Sequence, residues 1–184
     1  MTWCLWNRRN ALHFGRPAQP LSNISTVVEP GFVKVNFDAA MFNHSNSARL
    51  GVIVRDWRGV SLGAMSTHTS LASFVADMEA LACLRAVQFA AECELQQVII
   101  EGDSVIIIAA ITQGRSLLSS FGNIVDDILC LLPKFSSIQF NHVIRSGNLV
   151  ADALAKKAAS IVGCHVWPDT LPLDIAALVD FDVH

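Results

Sequence analysis

The chain carries little charge for its length. Asp, Glu, Lys and Arg make up 16% of its 184 residues, against 52% apolar residues. A disordered chain shows the reverse balance, so this composition implies a folded core. Also missing is any apolar run near the roughly 20 residues that span a bilayer. The longest runs, such as Val105–Ile111, are core-sized, and no membrane association is expected. Cysteine pairs are absent too. Cys4, Cys83, Cys93, Cys130 and Cys164 are odd in number and far apart, with no Cys-x-x-Cys. That speaks against a disulfide framework or a zinc site, and points to a reducing compartment in which all five pack as small apolar residues. The opening residues, Met-Thr-Trp-Cys-Leu-Trp-Asn-Arg-Arg, lack the basic-apolar-small order of a signal peptide. An intracellular location, nucleus or cytoplasm, is the expectation.

A basic stripe is the last absence. Net charge is −3; residues 1–30 hold three basic and one acidic residue, residues 31–163 ten and eleven, and residues 164–184 none and four. Nucleic-acid binding usually shows a clearer positive footprint.

What the sequence does contain is an ordered series of patterns. Residues 1–30 mix two tryptophans and arginines with Pro17 and Pro20, and read as an extension or linker ending at Pro30-Gly31. From there Val33, Val35, Phe37 and Ala39 alternate with polar residues, the period of a strand. Asn43–Ser47 is a turn-rich break. Gly51–Arg55 and Val60–Ser66 read as two strands joined by a hairpin at Asp56-Trp57-Arg58-Gly59. Residues 74–92 change to helical period, 97–101 form a short apolar strand, and helices are expected over about 104–113 and 120–132. Ser137–Ile144 alternates again, and Gly147-Asn148 opens a last helix that Gly163 stops. The order βββαβαβ with a closing helix predicts an α/β fold: a mixed five-stranded sheet, three strands as an antiparallel meander and the rest added by parallel crossovers, flanked by helices. Residues 31–163 form this domain, and 164–184 a tail that packs on it.

Four acids stand where acids are costly. Asp38 interrupts the first strand, expected to become central; burying a carboxylate there needs a partner or a metal, unless that strand face is solvated. Glu79 lies on the edge of the stripe Ala76, Ala80, Cys83, Val87 and Ala90 at about 100° per residue, either facing the core or reaching water at its boundary. Asp103 follows Val98-Ile99-Ile100-Glu101-Gly102, at the strand end where α/β sites gather, yet Asp is also a favoured helix cap. Asp152 sits in the first turn of the last helix, after a candidate cap at Asn148, where the helix dipole alone accounts for an acid. Carboxylates brought together raise one another's pKa unless a cation neutralises them. An all-oxygen site suits Mg²⁺ or Mn²⁺ rather than zinc, and two such ions about 4 Å apart can promote phosphodiester cleavage.

Five segments carry a resemblance: Val-Asn-Phe-Asp-Ala-Ala (35–40), Leu-Gly-Val-Ile-Val-Arg-Asp-Trp-Arg-Gly (50–59), Met-Glu-Ala-Leu-Ala (78–82), Glu-Gly-Asp-Ser (101–104) and His-Val-Ile-Arg-Ser-Gly-Asn-Leu-Val-Ala-Asp-Ala-Leu-Ala (142–155). In this order and spacing the chain resembles the ribonuclease H-like domains of plants, a retrotransposon-related branch of the type 1 ribonuclease H superfamily. The stretch Trp3–Asn10 is similar to what precedes such domains. The resemblance implies that Asp38, Glu79, Asp103 and Asp152 hold two Mg²⁺ or Mn²⁺ ions. It implies hydrolysis of the RNA strand of an RNA/DNA hybrid, leaving a 3′-hydroxyl and a 5′-phosphate. Arg145, seven residues before Asp152, resembles the arginine of archaeal members and would sit near the phosphate, while Asn148 and Ser104 would touch substrate. The chain departs from the pattern at Ala39, where a glycine usually follows the first aspartate, and at Val75 and Val105, where bacterial members place polar residues against the hybrid's sugars. There is no basic helical protrusion.

Three functional expectations follow: an active ribonuclease on hybrids, working as a monomer; a domesticated nucleic-acid-binding module with weak catalysis; or a protein-interaction domain using Trp3, Trp6 and Trp167, residues that interfaces favour.

Overall fold

The computed structural model describes residues 28–114, 119–157, 163–168 and 171–182. The elements run β1 (Val33–Phe42), β2 (Ser47–Asp56), β3 (Ser61–Ser70), α1 (Val75–Glu92), β4 (Gln97–Gly102), α2 (Val105–Gln113), α3 (Gly122–Leu131), β5 (Ser137–His142), α4 (Leu149–Lys157), β6 (Cys164–Trp167) and α5 (Leu173–Asp182). Residues 1–27 of the expected extension, with Trp3, Trp6 and Cys4, and residues 158–162 of the expected last helix lie outside the described residues.

The sheet order is β5-β4-β1-β2-β3-β6. β1 to β3 form the antiparallel meander, and β4 and β5 add in parallel beside β1. The meander turns where the sequence placed its hairpin. Asp56 Oδ1 accepts from the backbone N–H groups of Arg58 and Val60, each at 2.9 Å, and Gly59 takes the left-handed φ of 82° that the turn needs. The break at residues 43–47 is tighter than the composition suggested: a 3-10 turn at Asn43–Ser45, after which Ser47 already pairs with Ser70.

Among the described residues the sheet has six strands, not the expected five. Cys164–Trp167 runs antiparallel to β3, from Thr67↔Cys164 to Ala64↔Trp167. This four-residue edge strand lies between Gly163 and Pro168, and its side chains are largely exposed, so it shows no alternation to read.

Alternation on the sheet sorts the core into two layers. Val35, Phe37, Val52, Val54, Met65, Val98 and Ile100 meet Met78, Ala80, Cys83, Val87 and Ala90 of α1, along with α2 and α3. On the other face Ile53 and Ala64 meet Val150 and Leu154 of α4 and Ile175 of α5. Trp167 packs against this second layer, on its own fold. Gly51 lets α4 approach the sheet: a Cβ there would overlap the Ala151 carbonyl and stand 2.5 Å from Ala155 N. The cysteines divide. Cys83 is buried and Cys93 half-buried, but Cys130 and Cys164 are exposed, contrary to the expectation for all five.

Candidate metal centre

β1 is longer than its parallel partner. Pairing with β4 ends at Asn36↔Glu101, while β1 continues to Phe42 alongside β2. Asp38 and Asp103 therefore stand where β4 leaves the sheet, one on a continuing strand and one just past a strand end. Asp38 is 4% exposed. Glu79, one turn into α1, comes in over this opening. One carboxylate oxygen from each of Asp38, Glu79 and Asp103 lies within 4.8 Å of the others.

The electrostatics are those of three clustered acids whose charge Arg145 only partly offsets. Burial pushes the Asp38 carboxyl up from 3.8 to about 7, helped by Asp103 and Asp152 and opposed by the Ala39 N–H, which donates to Asp38 Oδ1 at 2.8 Å, and by Arg145. Burial likewise raises Glu79 from 4.5 to about 8, with Asp38 and Asp103 adding to the shift and Arg145 opposing it. Below Glu79, burial and the glutamate's charge push the Cys83 thiol up, so it stays a neutral packing group. Glu79 Oε2 is buried without a hydrogen-bond partner among the described residues. A buried carboxylate oxygen left unpaired beside two other acids is the arrangement that a divalent cation would satisfy. The all-oxygen donor set fits Mg²⁺ or Mn²⁺.

The other candidate residues divide around this triad. Arg145, in the turn Arg145–Gly147, reaches Asp103 Oδ2 with its Nε at 3.5 Å, yet its side chain is 84% exposed. Much of the guanidinium fork is left facing solvent beside the acids. Asp152 is not in the triad: Lys156 Nζ, one turn on, meets its Oδ2 at 2.6 Å. Its charge still reaches Asp38. Acid and lysine at i and i+4 is a spacing that the sequence displays. Ser104 is the N-cap residue of α2, so Asp103 does not cap; the Ser104 hydroxyl makes no capping bond, and its carbonyl accepts from Ile108 N–H at 3.1 Å. Asn148 is enclosed, with its amide turned toward β1. Val75 and Val105 are 62% and 59% exposed on the first turns of α1 and α2. Phe37 and Gly102 read from the sequence only as a strand residue and a strand end, but a Cβ on Gly102 would stand 2.7 Å from both Cε atoms of the Phe37 ring. A glycine between a strand and an acid was the available signal.

The family model described as reverse transcriptase-like matches residues 36–158, a span holding all four acids and Arg145. The chain belongs to that family. It contains a ribonuclease H-like domain. An Arabidopsis thaliana protein whose name provisionally calls it a ribonuclease H protein is 29% identical over 153 residues, which are 83% of this chain and 24% of that protein. The chain thus spans about a quarter of the length of that curated relative. Among solved structures, RNase H1 from the halophilic archaeon Halobacterium salinarum superposes with a TM-score of 0.64 at 23% identity, covering 70% of this chain and 98% of that one. LC11-RNase H1 in complex with an RNA/DNA hybrid gives 0.60 at 19% identity, covering 70% and 96%. These two likenesses establish the fold. Within the ribonuclease H-like domain the mixed sheet and flanking helices agree with the order read from the sequence, with β6 added at its edge.

Proposed function

We propose that this ribonuclease H-like domain hydrolyses the RNA strand of RNA/DNA hybrids with the help of divalent cations, leaving a 3′-hydroxyl and a 5′-phosphate. The observation that carries the reading is the meeting of Asp38, Glu79 and Asp103, from a strand, a helix and a strand end, within 4.8 Å. Asp152 completes the proposed set of metal-holding acids from α4, once released from Lys156. Mg²⁺ or Mn²⁺ bound there supplies an activated water and charge neutralisation at the leaving oxygen. The chain's own groups prepare that site. Asp38 and Glu79 give up protons on loading, and Arg145 offers N–H donors to a phosphate oxygen while it stays paired with Asp103. The domain boundaries 31–163 belong to the same proposal, as does a monomeric working state.

The test is cleavage of an end-labelled hybrid with Mg²⁺ or Mn²⁺. The expected product carries a 3′-hydroxyl, and Asp103→Asn should abolish it. No product at metal concentrations that support a control enzyme overturns the reading.

A second reading has one observation in its favour. Val75 and Val105 present apolar side chains on the helix ends nearest the acids, where contact with a 2′-hydroxyl needs polar groups. Hybrid binding at low salt without turnover would select a binding module instead.

A further inference from the structure

Asn148 is placed to organise the acids rather than to meet a substrate. It is 1% exposed. Its Nδ2 donates to the Phe37 carbonyl oxygen at 2.9 Å, across 111 residues of sequence. That carbonyl belongs to the peptide unit whose nitrogen is Asp38 N, so its direction fixes the plane from which the Asp38 side chain departs. The backbone of Asn148 makes two further ties. Its N–H donates to the Arg145 carbonyl at 3.2 Å, and its carbonyl accepts from the Asp152 N–H at 3.1 Å. One enclosed residue thereby joins the strand bearing Asp38, the turn bearing Arg145 and the helical turn bearing Asp152.

We infer that Asn148 is a positioning residue that fixes Asp38 against Glu79 and Asp103 by clamping the Phe37 carbonyl, and that it does not touch substrate. The clamp requires a donor. An aspartate would set a carboxylate against a carbonyl, and Asn148 Oδ1 already lies buried without a partner among the described residues, so none of them offers compensation.

The role in catalysis rests on the metal-dependent reading above; the placement of Asp38 does not. Two variants test it. Asn148→Asp removes the donor, and Asn148→Ser, whose hydroxyl on its shorter arm stops short of the Phe37 carbonyl, removes the clamp without adding charge should the first variant fail to fold. A crystal structure of the metal-free Ser variant should show the Asp38 carboxyl withdrawn from Glu79 and Asp103. Mn²⁺ titration by calorimetry should show affinity falling by roughly tenfold or more, the range for residues that support metal ligands. If the wild type cleaves hybrids, kcat should fall with KM little changed. An unmoved Asp38 carboxyl overturns the inference whether or not the chain is active. So does a raised KM with metal affinity intact, which would make Asn148 a substrate ligand. Absence of cleavage by the wild type, with Asp38 displaced in the variant, would sink the proposed function and leave the positioning role standing.

Discussion

The Phe37 ring lies flat enough over Gly102 that no side chain fits at 102. An added Cβ would stand 2.7 Å from both Cε atoms and overlap Cζ. Phe37 precedes Asp38 and Gly102 precedes Asp103, so this contact sets the spacing of the two strands at the point where their acids emerge. Gly102→Ala must move the ring or part the strands. Overpacking of this kind costs about 1–3 kcal/mol. Urea denaturation should register that loss, and Mn²⁺ affinity should fall with it. A variant of unchanged stability and affinity would mean that the ring yields freely and that the contact sets nothing.

The two raised carboxyls make a pH prediction with a definite sign. Asp38 and Glu79 hold protons in the fold up to about 7 and about 8, while an unfolded chain releases them near their ordinary 3.8 and 4.5. The folded state binds more protons across that window, so these groups destabilise the metal-free fold as pH rises through it. The metal-free protein should therefore melt at a lower temperature at about pH 8 than at about pH 5, and Asp38→Asn should melt higher than the wild type at the upper pH. Metal binding displaces those protons, so Mn²⁺ affinity should rise over the same range. A wild type and Asp38→Asn with identical melting profiles would contradict the buried-acid account.

Arg145 separates binding from stability. Its pairing with Asp103 is exposed, and such pairs contribute about 0–1 kcal/mol. Arg145→Ala should leave the melting temperature nearly unchanged. Its role as a phosphate contact predicts weaker hybrid binding, with the salt slope of log K reduced by about 0.9, the loss of one phosphate contact. An unaltered slope would assign Arg145 to the protein surface alone.

Much of this arrangement is legible in the sequence because local periodicity reports on burial. Val35 and Phe37 alternate with Asn36 and Asp38, and the α1 stripe from Ala76 to Ala90 marks the face that covers the sheet. The hairpin at Asp56–Gly59 is legible because its turn is closed by its own residues. Features made by distant partners were not. β6 exists because β3 offers an edge, and its exposed side chains carry no period of their own. Cys130 and Cys164 are exposed, which depends on how other elements pack and not on their own neighbours in sequence. Asp103 had an equally good local role as a cap, and only the position of Ser104 at the helix start releases it for the triad. Asn148 looked available to substrate until the Phe37 carbonyl took its amide.

Asp38, Glu79 and Asp103 are proposed to form a site for divalent cations. Anomalous diffraction from crystals soaked in Mn²⁺ tests it most directly. The expected result is a peak bounded by oxygens of those three carboxylates, with Glu79 Oε2 among the ligands and the peak lost in Asp38→Asn. A soaked crystal with Mn²⁺ bound elsewhere and nothing among the three acids would contradict it.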